Sequence, residues 1–224
     1  MSNLIPALFK LRSDLTSMME LVKTMLSSSY TTLKTNDLAL VEEIIHKENR
    51  VNAMEILIDS ECENIIALYN PVAVDLRFVL SVSRINYNLE RMADLAVSIA
   101  KYNKHLKNRF DNNLLLDSRL DEMFTTCLSM MDDAIEAFCN EDTAVARKIF
   151  YQDEILDEIN VINNSVVAEH SRKNPDNIPD NLFLFSIIKK LERFGDMSEN
   201  IAEEIIFHIE AKVLKHTKPL ETNE

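Results

Sequence analysis

Gly195 is the only glycine in a chain of 224 residues, and there are only five prolines. β-rich folds turn on glycine, proline and asparagine at positions of special backbone geometry. One glycine cannot furnish the many tight turns that a sandwich or barrel requires. The chain is instead dominated by Ala, Leu, Ile, Glu, Asp, Met and Asn. This composition predicts an all-α fold.

Punctuation divides the chain into six long helices. The first is predicted over residues 3–34, with Pro6 tolerated in its opening turn. Asn36 is expected to cap a second helix that reaches residue 69. Pro71 is expected at the first position of a third helix ending near Leu106. A polar stretch, Asn108 to Asn113, reads as a linker. A fourth helix over 114–138 and a fifth from Asn140 to about Arg172 follow. The run Asn174-Pro175-Asp176-Asn177-Ile178-Pro179-Asp180 is a loop by composition. A sixth helix is predicted from Asp180 to Leu214, with a polar, frayed tail over 216–224.

Gly195 lies inside a phrase that occurs twice. Glu90-Arg91-Met92-Ala93-Asp94 returns 102 positions later as Glu192-Arg193-Phe194-Gly195-Asp196, and Ser98-Ile99-Ala100 returns as Asn200-Ile201-Ala202. Repetition on this scale marks two copies of one structural unit. The predicted architecture is therefore two tandem antiparallel three-helix bundles, residues 1–108 and 113–215, related by internal duplication. Heptad-spaced Ile44, Val51, Ile58 and Ile65 give the second helix an apolar stripe. Val82, Leu89, Ala93, Ala96 and Ala100 give the third a face whose small residues allow close approach. A helical glycine costs about 1 kcal/mol against alanine, so Gly195 calls for a packing reason.

Each copy sets two carboxylates four residues apart, on one helical face beside the apolar stripe. A second acidic line, Glu48, Asn52, Glu55 and Asp59, runs along the second helix. Folding helices two and three into a hairpin about residues 69–72 brings Glu48 level with Asp94, and Asn52 with Glu90. The second hairpin brings Asp153 level with Asp196, and Asp157 with Glu192. Converging carboxylates without basic partners must either hold protons or be neutralised by a cation. Oxygen-only donors suit Mg²⁺, Mn²⁺, Ca²⁺ or iron. The candidate metal ligands are Glu48, Glu90, Asp94, Asp153, Asp157, Glu192 and Asp196. With 37 acids in the chain, roughly six such i,i+4 pairs arise by chance, so the signal lies in duplication and register together. Arg91 and Arg193 read as local ion-pair partners, and the five histidines as surface or helix-end residues.

The net charge of −13 argues against nucleic acid as a direct ligand, because a phosphate backbone requires a basic face. An acidic surface suits cations or a basic protein partner, and also serves solubility. Cys62, Cys127 and Cys139 form no Cys-x-x-Cys pair, and read as small core residues in a reducing compartment. The first residues lack the pattern of a secretory signal, and no apolar run approaches 18 residues. A single glycine also precludes a Gly-rich phosphate loop. No Glu-x-x-His pair of the ferritin-like di-metal enzymes lies in the acidic lines. Two other readings stand beside metal binding: a metal-free helical scaffold and a di-metal carboxylate enzyme.

The two phrases, together with Asn70-Pro71, Asp75-Leu76-Arg77 and Asn200-Ile201-Ala202-Glu203-Glu204, resemble the paired signature of the PhoU family across nearly the whole chain. The resemblance implies a pair of three-helix bundles and a cytoplasmic regulator without catalytic residues. Such a regulator would restrain a phosphate ABC transporter and its sensor histidine kinase, associate peripherally with the membrane through them, and often form a homodimer. It further implies bound metal (iron, Mn, Mg or Zn) at Glu90, Asp94, Glu192 and Asp196, with Asp153 and Asp157 facing the second pair. The first copy departs from the family pattern: Asn52 stands where the second has Asp157, Glu48 replaces an aspartate, and Ala93 replaces the usual glycine. Its metal site is expected to be weaker or absent.

Overall fold

A computed structural model of the chain describes residues 3–214. Seven α-helices and no strand occur among them: α1 Leu4–Thr35, α2 Leu38–Tyr69, α3 Ala73–Tyr102, α4 Asn112–Asp117, α5 Leu120–Asn140, α6 Thr143–Lys173 and α7 Ile178–Glu210. A 3-10 turn, Pro175–Asn177, leads into α7. The tail predicted to fray, 216–224, and His216 within it lie outside the described residues.

Three helices begin alike. The carboxylates of Asp37, Asp111 and Asp142 accept hydrogen bonds from the backbone N–H groups two and three residues on, at 2.8–3.2 Å. Each satisfies donors that have no partner within the helix, an arrangement worth about 1 kcal/mol per cap. Helix ends turn through the left-handed region without glycine, at Asn36 (φ 60°), Asn70 (φ 48°) and Glu141 (φ 54°).

Several boundaries differ from expectation. Asn36 closes α1, and Asp37 caps α2. Pro71 precedes the third helix, whose cap is Val72, and that helix stops at Tyr102. Asp142 caps α6 where Asn140 was expected. The fourth predicted helix is two: α4 ends at Asp117, and Arg119 adopts φ 52° before α5 starts. No glycine or proline marks this break. A tertiary contact holds it, because buried Asn163 on α6 donates to the Ser118 carbonyl at 2.9 Å. Finally, α7 starts two residues early, with Pro179 in its first turn, and ends at Glu210.

The helices α1–α2–α3 form one antiparallel bundle and α5–α6–α7 an equivalent one. The stripes read from the sequence are the buried faces: Ile44, Val51, Ile58, Ile65, Val82, Leu89, Ala93, Ala96 and Ala100 are all buried. The two bundles share one continuous core. At the joint, α1 meets α5 through stacked Tyr30 and Phe124, with ring centroids 4.4 Å apart, and Arg12 donates to the Phe138 carbonyl at 2.8 Å. α3 meets α7 through the Arg84–Glu204 pair at 3.1 Å. The Asp180 carboxylate, itself buried, accepts from the backbone of Lys107 and Asn108 and fixes the segment between the repeats. With α3 and α7 paired at the joint, α2 and α6 flank them. Each repeat thus keeps its own hairpin groove, α2/α3 and α6/α7.

Candidate metal centre

The α6/α7 groove holds the densest carboxylate cluster. Asp153, Asp157 and Asp196 bring one oxygen each within 4.8 Å of one another. Asp157 and Asp196 lie at the exposed rim, whereas Asp153 is only 8% exposed. Its Oδ1 is buried with no hydrogen-bond partner. Burial pushes the Asp153 carboxyl up to about 8, helped by the nearby charges of Glu199, Asp196, Asp157 and Glu192. Glu192, Asp196 and Glu199 are raised as well, each first by burial and then by neighbouring carboxylates.

Gly195 explains how Asp153 gets so far in. A Cβ built at this position would lie 2.6 Å from Asp153 Oδ1 and would overlap Leu156 Cδ1. Contacts that short would force the Asp153 and Leu156 side chains to shift, so glycine leaves α6 free to carry Asp153 onto the backbone of α7. This is the packing reason that a lone helical glycine demands.

The α2/α3 groove repeats the plan with different residues. Glu48 faces Asp94, as the register predicts, and burial, then that neighbouring carboxylate, raise its carboxyl above the ordinary range. Glu90 is raised by burial and by Asp94, Glu55 and Glu48. Asn52 Oδ1 is buried without a partner. Farther along α2, Asp59 accepts from Ser83 Oγ and Asn86 Nδ2, both at 3.2 Å, and is satisfied by neutral donors. Arg91 turns outward onto Tyr87, donating to its hydroxyl at 3.2 Å.

In the second groove Asp157 joins Asp153 and Asp196, and Glu192 instead accepts from Asn160 Nδ2 at 3.1 Å. Two contributors escaped the sequence reading. Glu199 lies three residues beyond Asp196, a helical neighbour whose spacing alone could have revealed it. Asn160 is polar and uncharged, so a search for acids passes over it.

Two further expectations are corrected. His208 is buried: it packs edge-on against Phe78, with centroids 5.1 Å apart, and burial lowers its pKa. Cys139 is exposed, whereas Cys62 and Cys127 are buried as foreseen. Burial pushes the Cys62 thiol up to about 12 and raises Cys127 too, so neither is primed as a nucleophile.

Oxygen donors alone, one of them buried and unpaired, suit a hard divalent cation or iron. Asp153, Asp157 and Asp196 would hold it, with Glu192 and Glu199 beside them. A cation there would favour the ionised form of every carboxylate that burial now pushes toward its proton.

Two copies of a three-helix unit, each carrying carboxylates across a hairpin groove, define an all-helical tandem-repeat protein with paired acidic grooves. The PhoU domain profile matches this chain twice, over residues 15–102 and 120–205, and the chain belongs to the PhoU family. It is 28% identical over 205 residues to the phosphate-specific transport system accessory protein PhoU homolog 1 of Thermotoga maritima, covering 92% of this chain and 88% of that protein. A Burkholderia homolog is 30% identical over 208 residues, with 92% and 88% covered. The Escherichia coli K12 PhoU is 27% identical over 206 residues, with 92% and 85% covered. The crystal structure of the phosphate transport system regulatory protein PhoU from Streptococcus pneumoniae superposes with a TM-score of 0.82 at 28% identity, covering 94% of this chain and 98% of that one. That of PhoU from Pseudomonas aeruginosa gives 0.86 at 26% identity, over 92% and 99%.

Proposed function

We propose that this chain is a non-catalytic accessory and regulatory protein of phosphate transport, acting by binding. The reading is carried by one observation: the family signature occurs in both repeats, at the groove of each hairpin, in a chain that its relatives match over about nine-tenths of its length. Those relatives are named as transport-system accessory proteins, and the Streptococcus pneumoniae structure as a regulatory one. The partners proposed are the ATPase of a phosphate ABC importer and a phosphate-sensing histidine kinase, met in the cytoplasm, with the chain as a homodimer. No helix among the described residues is long and apolar enough to cross a membrane, so contact with a membrane transporter would run through its ATPase.

Hard divalent cations or iron occupy the carboxylate clusters in this proposal. The second groove supplies Asp153, Asp157, Glu192 and Asp196, and the first Glu48, Glu90 and Asp94. Bound metal would fix the spacing of the hairpin helices and present a neutralised groove to a partner.

Affinity purification of the tagged chain from its own cells tests the partner assignment. The importer ATPase is expected to co-purify, and deletion of the gene is expected to raise phosphate uptake. An unchanged uptake rate with no ATPase recovered would refute the assignment. Elemental analysis of the wild type against the Glu192→Gln/Asp196→Asn variant tests the metal. Equal metal content in the two would remove these residues from the site.

A further inference from the structure

A cleft of about 450 Å³ opens at one end of the joint between the repeats, where α1 and α3 begin and α5 and α7 end. Leu8 and buried Phe78 line it. Arg12, also in the lining, lies 4.9 Å from the ring centroid of Phe78 and 5.3 Å from that of Phe138. Ile5 and Phe9, one turn apart on α1, belong to the same lining and are 62% and 69% exposed. Val74, on α3, joins them and is 53% exposed. Exposed apolar side chains scattered singly need no explanation, but a set that walls one cleft marks a binding surface.

The polar lining selects among occupants, because its cations are already engaged. Arg12 donates to the Phe138 carbonyl and to Glu141. His208 is buried, and that burial favours its neutral form. The acids are less engaged. Glu141 meets Arg12 and His208 through one oxygen, Oε1, and is 53% exposed. The Asp75 carboxylate makes no hydrogen bond or ion pair with the described residues. The charge left over at the cleft is therefore negative. Apolar walls beside an unpaired acid fit an apolar side chain with a lysine or arginine next to it. A basic amphipathic helix carries that pattern along one face, and such helices bind grooves through apolar anchors spaced by a turn. An anionic membrane surface also takes up exposed apolar side chains, but a chain of net charge −13 is repelled by it.

We propose that this cleft is the docking site for a basic amphipathic helix of a partner protein, its apolar side chains entering between Phe9 and Val74 and a lysine or arginine meeting Asp75. The proposal deepens the adaptor reading above and rests on it for the existence of a partner. Cys139 lines the same cleft and is exposed, whereas Cys62 and Cys127 are buried, so one thiol reports what enters.

The test uses the full chain and a fluorescent amphipathic peptide of about 18 Leu and Lys residues, long enough to be helical. Affinity is read by anisotropy at physiological salt. The peptide is expected to bind and to slow the reaction of Cys139 with a thiol reagent. Scrambling its order, replacing its Lys by Glu, Phe9→Asp and Asp75→Lys are each expected to weaken binding at least about tenfold, the loss of one interface anchor. Phe9 is exposed, so its variant keeps the fold, which circular dichroism checks. Glu192→Gln/Asp196→Asn, away from the cleft, is expected to bind as the wild type does. Equal affinity in Phe9→Asp and Asp75→Lys, equal loss in Glu192→Gln/Asp196→Asn, or binding that leaves Cys139 as reactive as before overturns the proposal. Phosphatidylglycerol vesicles that slow Cys139 as the peptide does would make this a lipid site, and a dimer abolished by Phe9→Asp would make a second copy its occupant. Either result overturns it too.

Co-purification separates this from failure of the transport reading. If the wild type recovers the importer ATPase or the kinase and Phe9→Asp recovers as much, the partner docks elsewhere and the proposal falls. If the wild type recovers neither while the peptide enters the cleft, the transport assignment falls and the docking site stands.

Discussion

Replacing Asp153 by asparagine should make the metal-free protein more stable, and increasingly so as pH rises. Asp153 is buried, and its carboxyl is pushed up to about 8, far above the ordinary value near 3.8. In the unfolded chain the group ionises near its ordinary value, so over the interval between the two the native state holds a proton that the unfolded state lacks. Stability contributed by that proton is present at low pH and lost as pH rises through about 8. The slope is about 1.4 kcal/mol per pH unit for one such group. Between about pH 5.5 and 7.5 the wild type should therefore lose about 2–3 kcal/mol more than Asp153→Asn, toward the lower end because water reaches the rim of the groove. Urea unfolding in chelator at several pH values measures it. The neighbouring raised carboxyls titrate in both proteins, so the difference between the curves isolates Asp153. Parallel curves would refute the reasoning, since they would mean that Asp153 is ionised in the native groove at no cost. Adding Mn²⁺ should reverse the order, because the cation requires the carboxylate that asparagine cannot supply.

Gly195→Ala gains about 1 kcal/mol of helix propensity but forces a methyl group against Leu156 and Asp153, an overpacking cost of about 1–3 kcal/mol. A net loss of about 1 kcal/mol in chemical unfolding is expected, with weakened Mn²⁺ binding because Asp153 is displaced. Arg84→Ala strips the counter-charge from buried Glu204 at the joint between the repeats and should cost about 2–3 kcal/mol, with Arg84→Ala/Glu204→Gln recovering part of it. A thiol reagent should label Cys139 quickly in the native protein and reach Cys62 and Cys127 only on unfolding, as mass spectrometry of the labelled peptides would show.

Much of this was legible before any coordinates. A chain with one glycine has few ways to reverse direction tightly, so long helices were the available solution. Heptad positions such as Ile44 and Val51 point to one side wherever the chain is helical, so the buried stripe follows from spacing alone. The hairpin register that levels Glu48 with Asp94 needs only a turn position and a constant rise per residue. Other features left no local trace. The break at Arg119 depends on an asparagine 44 residues away, at Asn163. The burial of His208 depends on Phe78 from the other repeat.

The amino-acid order determined the helices, their inward faces, the duplication and the height at which acids meet across each hairpin. Those properties follow from periodicity and chain geometry, which act over one or two neighbouring helices. Tertiary packing decided that the two bundles merge into one core along α1/α5 and α3/α7. It also decided that Asp153, among the acids of its groove, is driven inward beside a glycine. Both depend on how closely separate helices approach, a distance set by the fit of side chains far apart in the sequence.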